Sequence, residues 1–170
     1  MKFSASLDGP AKILTLGVSL LLLFVMVGSL RTTLITYQDE GSLSLGGIIG
    51  TVATFSILVV ASVLAPKGYM LTSEALIIRR WGGNKSYPLS KITKAYTIPD
   101  EDMDKSLRMF GVGGFLGYFG RYDNNLLGSF TLYATQRKHY VAIALDDSKT
   151  VVITPDDLSL VAELEKRMNQ

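Results

Sequence analysis

Residues 109–123 read MFGVGGFLGYFGRYD, five glycines set among phenylalanine and tyrosine rings, with Arg108 just ahead and Arg121 inside. Three kinds of structure use glycine so densely: a phosphate cradle, a helix-packing seam in a membrane, and a close-fitting turn in a small β-domain. A dinucleotide cradle needs Gly-x-Gly-x-x-Gly between a strand and a helix, but Leu116 stands where the third glycine belongs and strand-like sequence follows. A P-loop needs Gly-Lys-Ser/Thr after the glycines, and none follows. Gly113 and Gly117 match the spacing of membrane helix pairs, yet Arg108 and Arg121 bracket only about a dozen residues, too few to cross a bilayer. A β-domain remains. There, glycine permits positive φ and close backbone approach, while Phe110, Phe115, Tyr118, Phe119 and Tyr122 supply apolar area.

The chain has 170 residues, room for one domain with appendages. A net charge of +2 and the lack of a long Lys/Arg run argue against a nucleic-acid partner. With no cysteine there is no disulfide and no thiolate ligand, and the single histidine, His139, cannot build a multi-histidine site. Asp100-x-Asp102-x-Asp104 begins like a calcium loop, but Lys105 and Gly111 occupy the sixth and twelfth positions, which require Gly and Glu. No catalytic residue, cofactor or metal ligand is therefore expected.

The apolar residues are concentrated in the first third. Residues 13–30 (ILTLGVSLLLLFVMVGSL) and 46–65 (GGIIGTVATFSILVVASVLA) carry no charge. As helices they would run about 27 Å and about 30 Å at about 1.5 Å per residue, close to the hydrocarbon thickness of a bilayer. A small domain cannot surround two such helices. The first is a poor signal peptide, since its leader carries Asp8 and Pro10 and no small-x-small cleavage site follows. Lys2 and Lys12 precede the first span; Lys67, Arg79, Arg80 and Lys85 follow the second; the segment between has Arg31 against Asp39 and Glu40. The positive-inside rule then predicts a cytoplasmic tail over 1–12, spans over 13–30 and 46–65, an external loop over 31–45, and a cytoplasmic domain over 67–170. Small residues, among them Gly17, Gly28, Ser29, Gly46, Gly47 and Gly50, suit packing of the two spans against each other.

After Pro66 the pattern changes to short alternating runs. Tyr69 to Thr72 and Leu76 to Trp81 read as strands around a turn at Ser73-Glu74, and Gly82-Gly83-Asn84 marks the next turn. Tyr87 to Ile98 carries one or two β-segments edged by Pro88, and Pro99 to Lys105 is an acidic surface loop. Ser129 to Thr135, Tyr140 to Leu145 and Thr150 to Ile153 are further strands, the last two joined by a hairpin turn at residues 146–149. Thr154-Pro155-Asp156-Asp157 predicts a helix start, with Leu158, Val161, Leu164 and Met168 as its apolar stripe.

The blocks Tyr69-Met-Leu-Thr, Ala75-Leu-Ile-Ile-Arg-Arg and Tyr87-Pro-Leu-Ser-Lys-Ile, then MFGVGGFLGYFGRYDNN, GSFTLYAT and VVITPDD, resemble a bacterial pleckstrin-homology (PH) domain. The expected fold class is α+β: a transmembrane helical hairpin, then a PH-like antiparallel β-sandwich or partly open barrel with one C-terminal capping helix. The resemblance implies a compact, non-catalytic, membrane-linked module. Its first turn, Thr72-Ser73-Glu74-Ala75, is acidic where phosphoinositide-binding PH domains are basic.

The expected function is binding or scaffolding at the cytoplasmic membrane surface. The expected partners are membrane lipid with anionic headgroups and a protein partner or second copy of the chain. The alternative is an accessory subunit of a transport or envelope-enzyme complex, assembled through the helical hairpin. Contact candidates are Arg108, Phe110, Phe115, Tyr118, Phe119 and Arg121 in the glycine segment, with Arg79, Arg80 and Lys85. The rings either fill the domain core or dip into the inner leaflet.

Overall fold

The computed structural model describes residues 1–168; residues 169–170, the end of the expected domain, lie outside the described residues. Helix α1 spans Gly9–Glu40 and α2 spans Leu45–Leu64. Asp8 starts α1 by accepting a hydrogen bond from the Ala11 N–H at 2.8 Å, with Pro10 in the first turn, where a missing N–H costs nothing. Most of the stretch expected to be an external loop is helix. Residues 31–40 hold neither glycine nor proline, so α1 continues until Gly41, whose left-handed backbone (φ 67°) lets its N–H close on the Tyr37 carbonyl. Residues 41–44 alone form the turn.

The two helices lie side by side along a seam of small residues. Gly47 backs onto the Ser29 carbonyl and the Thr33 side chain, and Gly50 onto the Ser29 hydroxyl, where a Cβ would not fit. Gly17, Gly28 and Gly46 face open space instead. Away from the seam the apolar side chains point outward: Phe24 is 78% exposed, Leu16 63% and Phe55 59%. A core helix of a soluble domain would bury these residues. Both helices are long and apolar enough to cross a membrane.

The helical hairpin interrupts a strand pair. β1 (Lys2–Ser4), within the segment expected to be a tail, runs antiparallel to β2 (Pro66–Leu71) with Phe3 opposite Tyr69. With β3 (Ala75–Arg80) and β4 (Lys85–Pro88) they form a sheet ordered β1-β2-β3-β4. A 3-10 turn at Leu89–Lys91 leads to the second sheet. Its strands are β5 (Ile92–Ile98), β6 (Leu107–Gly114), β7 (Gly117–Asn124), β8 (Gly128–Ala134), β9 (Tyr140–Leu145) and β10 (Thr150–Ile153), ordered β5-β9-β10-β8-β7-β6. The acidic segment contains one helical turn, α3 (Asp100–Met103), and α4 (Ser159–Met168) follows β10.

The sheets pack as an open sandwich, and the second is mixed rather than antiparallel. β10 lies between β8 and β9 and pairs with β8 in parallel. The Thr135 N–H donates to Thr154 Oγ1 at 3.0 Å, fastening the β8–β9 loop to the end of β10. That bond also corrects the helix start. Thr154 caps nothing, and α4 begins later, where Asp157 accepts from the Ser159 N–H at 2.8 Å. Its buried residues are therefore Leu160 and Leu164, while Leu158 is 39% exposed.

One core lies between the sheets and under α4, with Phe3, Tyr69, Leu76, Ile78, Ile143 and Leu164 among its members. A second occupies the far face of the second sheet, where Tyr118, Tyr122, Phe130, Leu132 and Tyr140 meet Met103 of α3 and Ala11 of α1. Tyr69 crosses the first core with its hydroxyl fully used. It donates to the Tyr133 carbonyl at 2.6 Å and accepts from the Thr154 N–H at 3.1 Å. Burial pushes its pKa from 10.0 up to about 12.

Tyr69→Phe leaves two buried backbone groups unpaired and should cost about 1–3 kcal/mol at neutral pH, read from thermal unfolding of the detergent-solubilised chain. The raised pKa adds a sign. The protonated folded form is fully favoured below pH 10, and that contribution is lost as pH climbs toward about 12. The variant should therefore lose stability less steeply across that window than the parent.

Candidate binding site at the glycine hairpin

β6 and β7 form a hairpin whose two faces meet different surroundings. Directly opposed residues share a face, so Val112 with Phe119 and Phe110 with Arg121 lie on the outer face. Gly113 with Tyr118, Gly111 with Gly120, and Arg108 with Tyr122 lie on the inner face. A bulge at Met109 shifts the alternation between Arg108 and Phe110. Gly111 and Gly120 explain part of the glycine density. Both have positive φ (121° and 138°), and a Cβ on either would strike the backbone of the opposite strand. The two strands thus approach more closely than side chains allow.

The outer face packs on the helices. Val112 and Phe119 line an apolar groove of about 350 Å³ together with Ser56, Ile57, Val60 and Leu64 of α2. At the hairpin tip, the Leu116 N–H donates to Thr15 Oγ1 of α1 at 2.8 Å, and that hydroxyl donates to the Gly114 carbonyl at 3.4 Å. Leu14 packs on Gly114, which has no room for a Cβ. On the first sheet, the Gly82 N–H donates to the Val63 carbonyl at 3.0 Å, tying the β3–β4 turn to the last turn of α2. Beside it, the Lys67 ammonium sits over the ring of the exposed Trp81. Partial desolvation and then the neighbouring Arg79 guanidinium pull the Lys67 pKa below its ordinary value.

The inner face roofs a cavity of about 370 Å³, walled by Tyr118, Tyr122 and Tyr140 and reached by Arg108 and Arg137. The Tyr118 hydroxyl donates to the Asp8 carboxylate at 3.3 Å, and Tyr122 donates to the Val112 carbonyl at 3.0 Å. Burial raises the pKa of all three tyrosines; Arg137 opposes the rise at each, and Arg108 opposes it most at Tyr122. They remain neutral hydrogen-bond donors at physiological pH.

The family profile described as bacterial PH domain matches residues 67–168. The chain belongs to that family. No curated protein and no solved structure matches the chain. β1 and the helical hairpin precede the matched segment, so this PH domain borrows its first edge strand from the other end of a membrane-type hairpin.

The nine residues singled out in the sequence separate. Phe119 and Tyr118 are both buried, on opposite faces, while Phe115 is half-buried at the turn. Phe110 is 81% exposed, with Leu107 and Met109 beside it also exposed. Arg121 is exposed and donates to Ser129 Oγ at 3.0 Å; Arg108 turns inward over Gly113. Arg79 lies near the end of α2, but Arg80 bonds the Gly83 carbonyl at 3.1 Å and Lys85 lies on β4, lining a different groove. Asp8, Thr15, Arg137 and Tyr140 were missed. An Asp-Gly-Pro helix start signals Asp8; the others depend on pairings hundreds of atoms apart along the chain.

Gly120→Ala, which combines positive φ with a backbone clash, should cost about 3 kcal/mol. Gly128→Ala, at positive φ with open space around it, should cost about 1 kcal/mol. Thermal unfolding of the two variants in one detergent checks the ranking.

Proposed function

We propose that the protein is a non-catalytic, membrane-anchored binding module. In this reading α1 and α2 cross the bilayer, residues 41–44 turn on the external side, and β1 with the PH domain lies on the cytoplasmic face. The pairing of β1 with β2 carries the proposal. It keeps the chain before α1 and after α2 on one side, as two crossings require. The excess of Lys and Arg at those same ends supports the cytoplasmic side.

The ligand favoured here is the inner leaflet and its anionic headgroups. The outer face of the β6–β7 hairpin extends the apolar surface of α2 from Phe119 and Val112 to the exposed Phe110 and Leu107. Trp81, Lys67 and Arg79 stand at the last turn of α2, where an aromatic ring and cations suit the headgroup level. Each well-placed cation adds attraction of about 1 kcal/mol toward anionic lipid.

The chain has no cysteine and one tryptophan, so two clean probes exist. In intact cells, a membrane-impermeant maleimide should label Ser42→Cys, and should label Asn125→Cys only after permeabilisation. The reverse pattern contradicts the topology. In vesicles, Trp81 fluorescence should be quenched more by lipids brominated near the glycerol end of the chain than near the methyl end.

A further inference from the structure

The cavity beneath the hairpin has the makings of an anion site that the membrane-anchor reading does not use. Arg108 and Arg137 both line it, and neither guanidinium forms an ion pair with any described residue. Carboxylates stand against them, Asp104 on the wall, Asp8 held by the Tyr118 hydroxyl and Asp100 near Tyr140, so the site would grip a ligand through directed N–H donors rather than through net charge. Arg137 lies over the Tyr118 ring at 4.9 Å, which fixes its guanidinium at the cavity edge.

A third donor is free. Tyr140 is only 6% exposed, lines the cavity, and makes no hydrogen bond through its hydroxyl among the described residues. The hydroxyls of Tyr118 and Tyr122 are already committed to Asp8 and Val112. The hydroxyl is not sealed from solvent, so it stands at the cavity open to an acceptor that enters.

Gly113 gives the sequence motif its place in this site. A Cβ at this position would occupy the space now filled by the Arg108 guanidinium. The glycine-rich strand thus clears the floor on which an arginine lies flat. The cavity's volume, about 370 Å³, lies in the range of small-ligand sites and exceeds the needs of a bare ion.

We propose that this cavity binds a phosphoryl group, with Arg108 and Arg137 each presenting N–H donors to its oxygens and the Tyr140 hydroxyl donating to a further one. Guanidinium groups match phosphate geometry, and a neutral tyrosine hydroxyl can donate to a phosphoryl oxygen. The site lies on the second sheet, away from the acidic β2–β3 turn at Thr72–Ala75. The phosphoryl group belongs either to a soluble phosphorylated molecule or to a phospholipid headgroup. The site itself does not depend on α1 and α2 crossing a bilayer.

The test uses the full chain in an uncharged detergent. Inorganic phosphate and glycerol 3-phosphate are titrated by calorimetry, and retention of phosphatidylglycerol against phosphatidylcholine is read by native mass spectrometry. Saturable phosphate binding, weakened at least about tenfold by Arg108→Gln and by Arg137→Gln, supports a soluble ligand. Selective phosphatidylglycerol retention with the same two dependences, without phosphate binding, supports a headgroup. Gly113→Ala separates site from fold. Its only close conflict is with the tip of a flexible side chain, so the melting temperature should hold while affinity falls. Binding of neither probe, or binding indifferent to Gly113→Ala and both arginine variants, overturns the proposal.

Discussion

Three residue pairs, Lys2 with Met70, Phe3 with Tyr69 and Ser4 with Gly68, set the terms for everything else in the molecule. They join chain segments separated by two helices, one of 32 and one of 20 residues. Closing so long a loop is entropically costly, and the segment up to Asp8 offsets that cost with more than a strand pair. The Asp156 N–H donates to the Ser4 carbonyl at 3.0 Å, Ser6 bonds the Asp156 carboxylate at 2.7 Å, and the Asp8 carboxylate accepts from the Arg137 N–H at 3.0 Å. The N-terminal residues are thereby stitched into the same loops that end β8 and β10. A helical hairpin bracketed in this way can leave the domain and return, but cannot swing free of it.

The glycine segment follows from that constraint. Because the helices are held at the domain, the β6–β7 hairpin is pressed between them and the second core, and it must be thin. Gly111 and Gly120 draw its strands together, Gly114 admits Leu14, and Gly113 admits the Arg108 guanidinium. The same thinness separates two environments across one strand spacing. Phe119 meets α2 in an apolar groove, while its neighbour Tyr118 faces a cavity lined by arginine and tyrosine. Tyr118 and Tyr122 fill a core, Phe119 seals the helix junction, and Phe110 is left outside.

Much of this was legible in the sequence itself. Uninterrupted apolar runs identify the two helices, and period-two alternation identifies β8, β9 and β10, because each pattern reports burial local to its own element. What depends on distant partners was not. β1 is three residues long, too short for any periodicity, and exists because β2 offers it an edge. The parallel pairing of β10 with β8 leaves no trace in either strand, since alternation reports which face is buried and not the direction in which the neighbouring strand runs. Thr154 has the composition of a helix cap, but a buried N–H at Thr135 claims its hydroxyl first. In the candidate site, Arg108 and Tyr118 stand out by composition, whereas Arg137 and Tyr140 enter through the fold of the β8–β9 loop.

The most direct test is a disulfide across the strand pair that brackets the helices. Lys2 and Met70 are direct partners on antiparallel strands, a separation within disulfide reach, and the parent chain has no other cysteine to confuse the result. Lys2→Cys combined with Met70→Cys should form an intramolecular cross-link in native membranes under mild oxidation, detected as a shift in electrophoretic mobility that reductant reverses. Two thiols that stay free, one of them reached by an impermeant reagent from outside the cell and the other not, would contradict the account.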